Sequence, residues 1–467
     1  MKRFQDFVTQ NRLKCGIATH WPGERRQMES IGRRHAELEY GSRDDLAAYQ
    51  ISRLRALLSA AARSPYYAGV LLDSGVDPAK ADLDDLRRLP LLTKDTLREA
   101  GEALRIDGAL EVRENYSGGS TGVPVRFWQD RECRIEMGAA TKRANQRAGV
   151  FPGARMAKLW GAPQDRKQIE GWRGSLRLWA LNMRYYDTFD MGAERMLAYH
   201  RSMEAFQPDF IQAYASSAYM LATFLRARGI RPTYPRRAVI CSAEKLFPHM
   251  RSAIGSVFPA PVFDRYGSRE ASAIGAECSL HTGLHVHMPS YVIETIDPRT
   301  GRNVTGVPGE IVLTALSNLA MPMIRYRIGD MAILNRERCG CGSVFDRLEE
   351  IVGRTSDNFL MPDGRLVHGE YFTHAFYGRA GIAQFQFVQE RVDKFLLRIV
   401  PAADYSPGVA DQLENEMREV VGPTAEFRVE LREQIPQTVS GKYRFTISHV
   451  DVNAALAAVE PGIGEGV

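Results

Sequence analysis

Apolar residues recur at helical spacing over Leu54, Leu57, Leu58 and Ala61, preceded by Ser42 and Asp45 in a capping arrangement, until Ser64-Pro65 breaks the run. A second helix-start signal, Thr93-Lys94-Asp95-Thr96, follows Pro90. From Arg155 onward short apolar runs alternate with helical patterns. Met156–Trp160, Phe210–Tyr214, residues 238–241 and residues 262–266 read as strands, with helices over residues 218–228, closed by Gly229, and 246–257. That alternation predicts a parallel sheet. Ligands of such sheets sit beyond the carboxyl ends of the strands, where Ser242-Ala243-Glu244 and Tyr266-Gly267-Ser268-Arg269-Glu270 fall.

After His281 the pattern becomes β-rich. Residues 285–296, 310–316 and 323–334 are separated by glycine turns with no helix between them, which predicts a small antiparallel sheet or barrel. Beyond Arg354 come a hairpin at Pro362-Asp363-Gly364, a helix over 370–377, paired strands at 385–389 and 395–400, a helix over 411–420 and a strand at Glu426–Leu431. The expected fold class is α/β: a large N-terminal domain of mixed and parallel sheets plus a small β-barrel-like part, then a small α+β C-terminal domain. The boundary is placed at Gly353-Arg354, giving domains 1–353 and 354–467, with 460–467 expected to be disordered.

Composition adds exclusions. The 467 residues are 44% hydrophobic and 25% charged, the ordinary balance of soluble globular chains of two or more domains. The net charge of +5 comes from 61 basic and 56 acidic residues spread along the length, so neither a nucleic-acid tract nor a membrane-binding face is expected. No apolar run approaches the roughly 20 residues of a membrane span, and the start lacks the apolar core of a secretory signal, so the expected location is the cytoplasm. Six cysteines in a chain of this size do not make a disulfide scaffold; only Cys339 and Cys341 cluster.

The segment Tyr116-Ser117-Gly118-Gly119-Ser120-Thr121-Gly122-Val123-Pro124 has three glycines and three hydroxyls in nine positions. Glycine lets backbone N–H groups turn toward phosphate oxygens, and hydroxyls add donors. The lysine of the Gly-x-x-x-x-Gly-Lys-Ser/Thr loop is absent, since Val123 follows Gly122. By composition alone such a segment is more often a plain turn between strands. Further along stand Tyr266-Gly267-Ser268-Arg269-Glu270, Arg325-Tyr326-Arg327-Ile328-Gly329-Asp330, Gly353-Arg354 and Ser440-Gly441-Lys442, in that order.

With these motifs the chain resembles the adenylate-forming superfamily of acyl-CoA synthetases, in particular the phenylacetate-CoA ligase branch and its capsule-biosynthesis (CapK-type) relatives, from about Tyr66 to Lys442. The resemblance implies ATP bound with Mg²⁺. Ser117, Gly118, Gly119, Ser120, Thr121 and Gly122 would hold the β- and γ-phosphates, Ser242, Ala243 and Glu244 would line the adenine pocket, and Tyr266 would stack on the base. Glu270 would bind Mg²⁺, Asp330 and Arg354 the ribose hydroxyls, and Lys442 the carboxylate and α-phosphate oxygens. Each residue type suits its role: an aromatic face for a purine, a carboxylate acceptor for a diol, a long cation for a transient phosphorane. Read singly, Tyr266 is equally a sheet aromatic, Lys442 a solvated lysine, Asp330 a turn cap and Arg354 a surface charge.

Two positions depart from the family pattern. Arg269 stands where a Thr commonly precedes the acidic residue, leaving the α-phosphate hydroxyl contact to Ser268 or replacing it by a guanidinium; Ser356, followed by Asp357, replaces the usual hinge aspartate. Cys278, His281, His285 and His287, with Cys339-Gly340-Cys341-Gly342, suit a closed tetrahedral Zn²⁺ site. The family resemblance points to Cys278, His285, Cys339 and Cys341 as ligands, with His281 as the alternative fourth. The competing reading is reduced, buried cysteines and ordinary strand histidines.

The implied function is ATP-dependent adenylation of a small-molecule carboxylic acid, aryl or acyl, with pyrophosphate release. Transfer to a thiol, coenzyme A, follows; a carrier protein, an amine or a saccharide-linked group is the alternative acceptor. Trp160, Tyr214 and Tyr219 are candidates for the acid pocket, though strand-end aromatics also pack cores. A nucleotide-binding protein that lost turnover and a kinase are the readings of other classes.

Overall fold

The structure is a computed structural model describing residues 22–108, 111–117, 125–151, 153–161, 171–188, 191–354, 358–363, 365–368, 372, 375–376, 379–436 and 444–450. These residues fall into two compact units. One takes the described residues up to Ile328 and from Ala332 to Ile351; the other takes Gly329–Met331 and those from Val352 onward.

The first unit opens with α1 (Pro22–Glu39), α2 (Arg43–Ala61), α3 (Pro65–Ser74) and α4 (Lys94–Ala100). The starts read from the sequence are physical caps: the Ser42 and Thr93 hydroxyls accept the N–H groups of Asp45 and Thr96. Ser64-Pro65 ends one helix and begins the next, with Ser64 capping Tyr67 N–H, Pro65 in the first turn and Gly75 closing it at φ +61°. The hairpin β1 (Arg113–Tyr116) and β2 (Arg126–Gln129) follows, then α5 (Arg131–Arg147).

Next come β3 (Met156–Trp160), α6 (Gly171–Ala180), β4 (Met183–Asp187), α7 (Ala193–Phe206), β5 (Phe210–Tyr214), α8 (Ala215–Ala227), β6 (Ala238–Ser242), α9 (Pro248–Val257) and β7 (Val262–Ser268). These five strands pair in parallel in the order β4-β3-β5-β6-β7. Every residue of β5 and β6 is buried, Gln212 and Ser242 included, as expected of central strands of a parallel sheet. Chain order reverses at β3, so a topological switch point lies between the carboxyl ends of β3 and β5.

The β-rich run comprises β8 (Ser272–Glu277), β9 (Leu284–Val286), β10 (Tyr291–Ile296), β11 (Pro308–Ala315), β12 (Tyr326–Asn335) and β13 (Arg347–Arg354). It does not form a sheet of its own. β8 pairs antiparallel with both β7 and β9, so the run extends the parallel region into one 11-stranded sheet. Its arginines act as clips: Arg325 pairs with Glu294 through Nε and Nη2 at 3.0 and 3.1 Å, and Arg327 Nε with Glu310 at 3.0 Å.

α1 and α5 meet through a polar layer. His35 and Glu39, one turn apart on α1, are buried against Glu136, Arg143 and Arg147 of α5. His35 Nε2 lies 3.0 Å from Glu136, and His35 Nδ1 lies 2.9 Å from His287 Nε2. Glu39 accepts from Arg143 and Arg147, each at 2.8 Å, and Arg147 also donates to the carbonyls of Ala276 and His285. Removing one partner of such a pair strands the others without solvent. Glu39→Ala is therefore expected to cost about 3–5 kcal/mol in urea-induced unfolding. A loss under about 1 kcal/mol, the range of an exposed pair, would show that the layer is wet.

In the second unit, β16 (Ile382–Arg391) and β17 (Lys394–Pro401) pair antiparallel, β18 (Glu426–Leu431) lies parallel to β17, and β19 (Thr446–Ser448) parallel to β16; the hairpin β14 (Asn358–Leu360) and β15 (Leu366–His368) precedes them. Helix α10 (Pro407–Val421) buries Leu413 and Met417 against Phe359, Phe372, Phe385, Phe387, Phe395 and Phe427. Of the helix expected over 370–377, Phe372, Ala375 and Phe376 are described and helical; the tail 460–467 lies outside the described residues.

Candidate active site and metal centre

Of the glycine-rich segment Tyr116 and Ser117 are described, as is Val125 just after it; residues 118–124 are not. Ser117 follows β1 and Val125 precedes β2; Ser117 N–H donates to Val125 C=O at 2.9 Å, and Ser117 Oγ accepts Val125 N–H at 2.8 Å. The strands on either side of the segment thus pair antiparallel, with a double hydrogen bond between Ser117 and Val125. Gly118, Gly119, Ser120, Thr121 and Gly122 lie outside the described residues, as do Ser356, Asp357 and Lys442.

At the end of β6, Ser242 Oγ donates to Arg265 C=O at 3.0 Å. Ala243 has φ +69°, a left-handed backbone that costs a residue with a Cβ of order 1 kcal/mol. Two anchors hold that turn. Glu244 Oε2 accepts the N–H of Ser216 at 2.9 Å, capping the first turn of α8, and Arg265 Nη1 donates to Asn145 on α5 at 2.9 Å. Burial brings the Arg265 guanidinium down to about 10, against the pull of the neighbouring Asp264. Arg265 and Asn145 were not among the residues read from the sequence. A cation inside the buried run Val262-Phe263-Asp264-Arg265 was the available signal.

Tyr266 to Ser268 end β7, and Arg269 and Glu270 begin the turn to β8. The register slips between Tyr266 and Gly267, and Ser268 pairs with Ser272. A Cβ on Gly267 would lie 2.0 Å from the Ser272 carbonyl oxygen, so only glycine fits. Ser268 Oγ accepts Ala271 N–H at 3.2 Å, Arg269 is half-buried, and Tyr266 packs half-buried on the core. Glu270 is buried; its carboxylate has the neutral Tyr326 hydroxyl at 3.4 Å, and among the described residues no cation pairs with it. A buried carboxylate served by a neutral partner fits a cation site. At the switch point the Trp160 and Tyr214 rings pack at a 34° tilt with centroids 4.2 Å apart, and Lys158 Nζ lies 4.9 Å from the Trp160 ring. Tyr219 packs edge-on to His249, which stacks on Phe247.

In the second unit, Asp330 lies mid-strand in β12 rather than in a turn, and Arg354 ends β13.

Cys278, His285, Cys339 and Cys341 place one ligand atom each within 4.8 Å of one another. Cys278 Sγ to Cys339 Sγ is 3.9 Å and Cys341 Sγ to His285 Nε2 is 3.5 Å. A tetrahedral Zn²⁺ with bonds of about 2.3 Å to sulfur and 2.0–2.1 Å to nitrogen has edges of about 3.8 and 3.5 Å, so the four atoms fit it. Burial, then the charges of Arg147 and Arg347, hold the His285 imidazole down to about 3, leaving it neutral. For Cys339 burial acts upward, but hydrogen bonds from Thr282 and from the backbone and thiol of Cys341 outweigh it and bring the thiol to about 7. His281 is not with them: its Nδ1 lies 2.9 Å from Glu277 Oε2. His287 is engaged with His35.

Residues 359–449 match the family described as the CapK C-terminal domain. Over 393 residues the chain is 23% identical to Protein CapK of Staphylococcus aureus, covering 83% of this chain and 85% of CapK. It is 28% identical over 334 residues to the phenylacetate-coenzyme A ligase of Thermus thermophilus, covering 70% and 74%. Along most of its length the chain is similar to CapK and to the phenylacetate-CoA ligases. The fold agrees with that kinship. A 2-hydroxyisobutyryl-CoA ligase in the postadenylation state, in complex with an acyl-AMP, superposes with a TM-score of 0.70 at 20% identity, covering 91% of this chain and 94% of that one. Among the described residues no helix is long and apolar enough to cross a membrane.

Proposed function

We propose that this chain is an AMP-forming acid–thiol ligase, which joins a carboxylate to the α-phosphate of ATP, releases pyrophosphate and passes the acyl group to a thiol. The observation that carries the reading is the switch point itself. The aromatic pair Trp160 and Tyr214 and the anchored turns at Ser242–Glu244 and Tyr266–Glu270 stand at the carboxyl ends of adjacent strands, in a chain related along most of its length to acid–CoA ligases.

In this reading Ser117 to Gly122 cradle the β- and γ-phosphates, Ser242, Ala243 and Glu244 line the adenine pocket, and Tyr266 stacks on the base. Asp330 and Arg354 take the ribose hydroxyls, roles that rest on the family motifs, as does that of Lys442 at the α-phosphate. Ser268 or Arg269 supplies the α-phosphate contact that a threonine commonly makes. Glu270 would hold Mg²⁺, which supplies charge neutralisation at the phosphates. Cys278, His285, Cys339 and Cys341 would hold a Zn²⁺ with no open position, hence a structural one. The acid pocket is assigned to the aromatic group of Trp160, Tyr214 and Tyr219, and the unit from about residue 354 is taken as the mobile domain of a cytoplasmic enzyme.

Coenzyme A is the favoured thiol. The second reading, a carrier protein, an amine or a saccharide-linked acceptor, is favoured by the match of residues 359–449 to the CapK C-terminal domain. The deciding experiment is acid-dependent ATP–pyrophosphate exchange over a panel of aryl and acyl acids, with nucleotide products resolved and coenzyme A present or absent. Exchange with AMP as product is expected. ADP would make the chain a kinase, and nucleotide binding without pyrophosphate release would make it a binding protein. Thioester only with coenzyme A supports the thiol reading; adenylate that coenzyme A does not consume supports the other acceptors.

A further inference from the structure

Helix α6 is built inside out. Trp172, Leu176 and Trp179, at positions i, i+4 and i+7, share one helical face and are 73%, 52% and 46% exposed. The opposite side carries the buried Gly174, with Arg177 and Leu178 half-buried beside it. A surface helix of a globular protein ordinarily turns its apolar stripe to the core. Here Trp172 and Leu176 face solvent, with the partly covered Trp179 beside them, along a helix about 15 Å long.

Charge narrows the occupant. Arg173 lies at the edge of the exposed face with its guanidinium 5.3 Å from the Trp172 ring, and the half-buried Arg177 follows one turn on along the same side. From Gly171 to Tyr186 the chain has three arginines and no acidic side chain. Indole rings bordered by arginine suit the boundary between acyl chains and an anionic headgroup layer. Even charge along the whole chain had left no membrane face legible; the fold isolates a local one.

We propose that α6 is a docking face for an anionic lipid surface, entered by Trp172 and Leu176 and held by Arg173. The helix is far too short to span, so the contact is peripheral and reversible. It does not depend on the reaction proposed above.

The test uses the full chain, with sedimentation alongside vesicles of phosphatidylcholine alone or with phosphatidylglycerol added. Phosphatidylglycerol is expected to raise binding about tenfold, and added salt to reverse the gain. Trp172→Ser with Leu176→Ser is expected to lower binding about tenfold or more. Arg173→Gln alone is expected to lower it about fivefold, and serves if the double variant does not fold. Both side chains are mostly solvated, so an unchanged melting temperature is expected. No binding to either vesicle, binding indifferent to phosphatidylglycerol, or full binding by the variants overturns the proposal. So does concentration-dependent self-association of the unaltered chain that the double variant abolishes, since the face would then belong to a second copy.

Discussion

Replacing Lys442 with alanine is expected to lower acid-dependent ATP–pyrophosphate exchange by on the order of 10²–10³-fold while leaving the thermal unfolding midpoint unchanged. As the carboxylate approaches the α-phosphorus, negative charge collects on oxygens that had it spread over the triphosphate. A flexible ammonium donor that meets those oxygens mainly in the transition state lowers the barrier without tightening ground-state binding. The loss should therefore appear in turnover more than in the Michaelis constant for ATP. Capture of a chemically supplied acyl-adenylate by the acceptor should survive, because the α-phosphate step is already complete. Equal exchange in the variant and the unaltered chain would remove Lys442 from the reaction.

Metal analysis of the purified chain is expected to find one zinc per chain, and Cys339→Ser to lose it. The four ligands come from β8 or its end, β9 and the segment before β13, so the ion would tie together pieces that pair only briefly: β13 and β9 share the pairs Arg347 with His285 and Leu348 with Leu284. The site is built for a small loop geometry. Gly283 sits at φ +113°, where a Cβ would lie 2.9 Å from the Leu348 carbonyl, and Gly342 at φ +91°. Structural zinc contributes on the order of 10 kcal/mol in small domains that fold only with it. Here the surrounding sheet offsets part of that, so stripping the metal should lower the melting temperature by on the order of 10 °C. Cys278→Ser should behave as Cys339→Ser does, and His281→Ala should retain the metal. An unaltered chain free of zinc, melting where both serine variants melt, would return the cluster to ordinary buried cysteines.

Much of the fold was legible because its signals are local. Ser42 and Thr93 cap helices where the start signals placed them, and Ser64-Pro65 ends a helix where the break was read, since a cap involves only three or four neighbouring residues. Phe210–Tyr214 and Glu426–Leu431 are strands with the bounds their apolar runs suggest. Helices α1 and α5 were not read, and apolar periodicity does not report the largely polar contact between them. Their contact is made by His35, Glu39, Glu136, Arg143 and Arg147, residues that a pattern reading places in solvent. The separate barrel expected after His281 merged with the parallel strands because pairing partners are chosen across space. Nothing in β8 itself says that β7 will be its neighbour.

The candidate site divides the same way. Sequence alone determined the order of motifs and a cysteine and histidine set with the chemistry of zinc. Tertiary structure decided what each side chain is free to do. Glu277 takes His281 and leaves His285 with the thiols, and Arg265 braces the Ser242 turn from within a strand. The amphipathic helix α6 turns its indoles outward rather than inward. Those outcomes depend on which residues of distant segments arrive at the same place, and on the cost of leaving any of them buried without a partner.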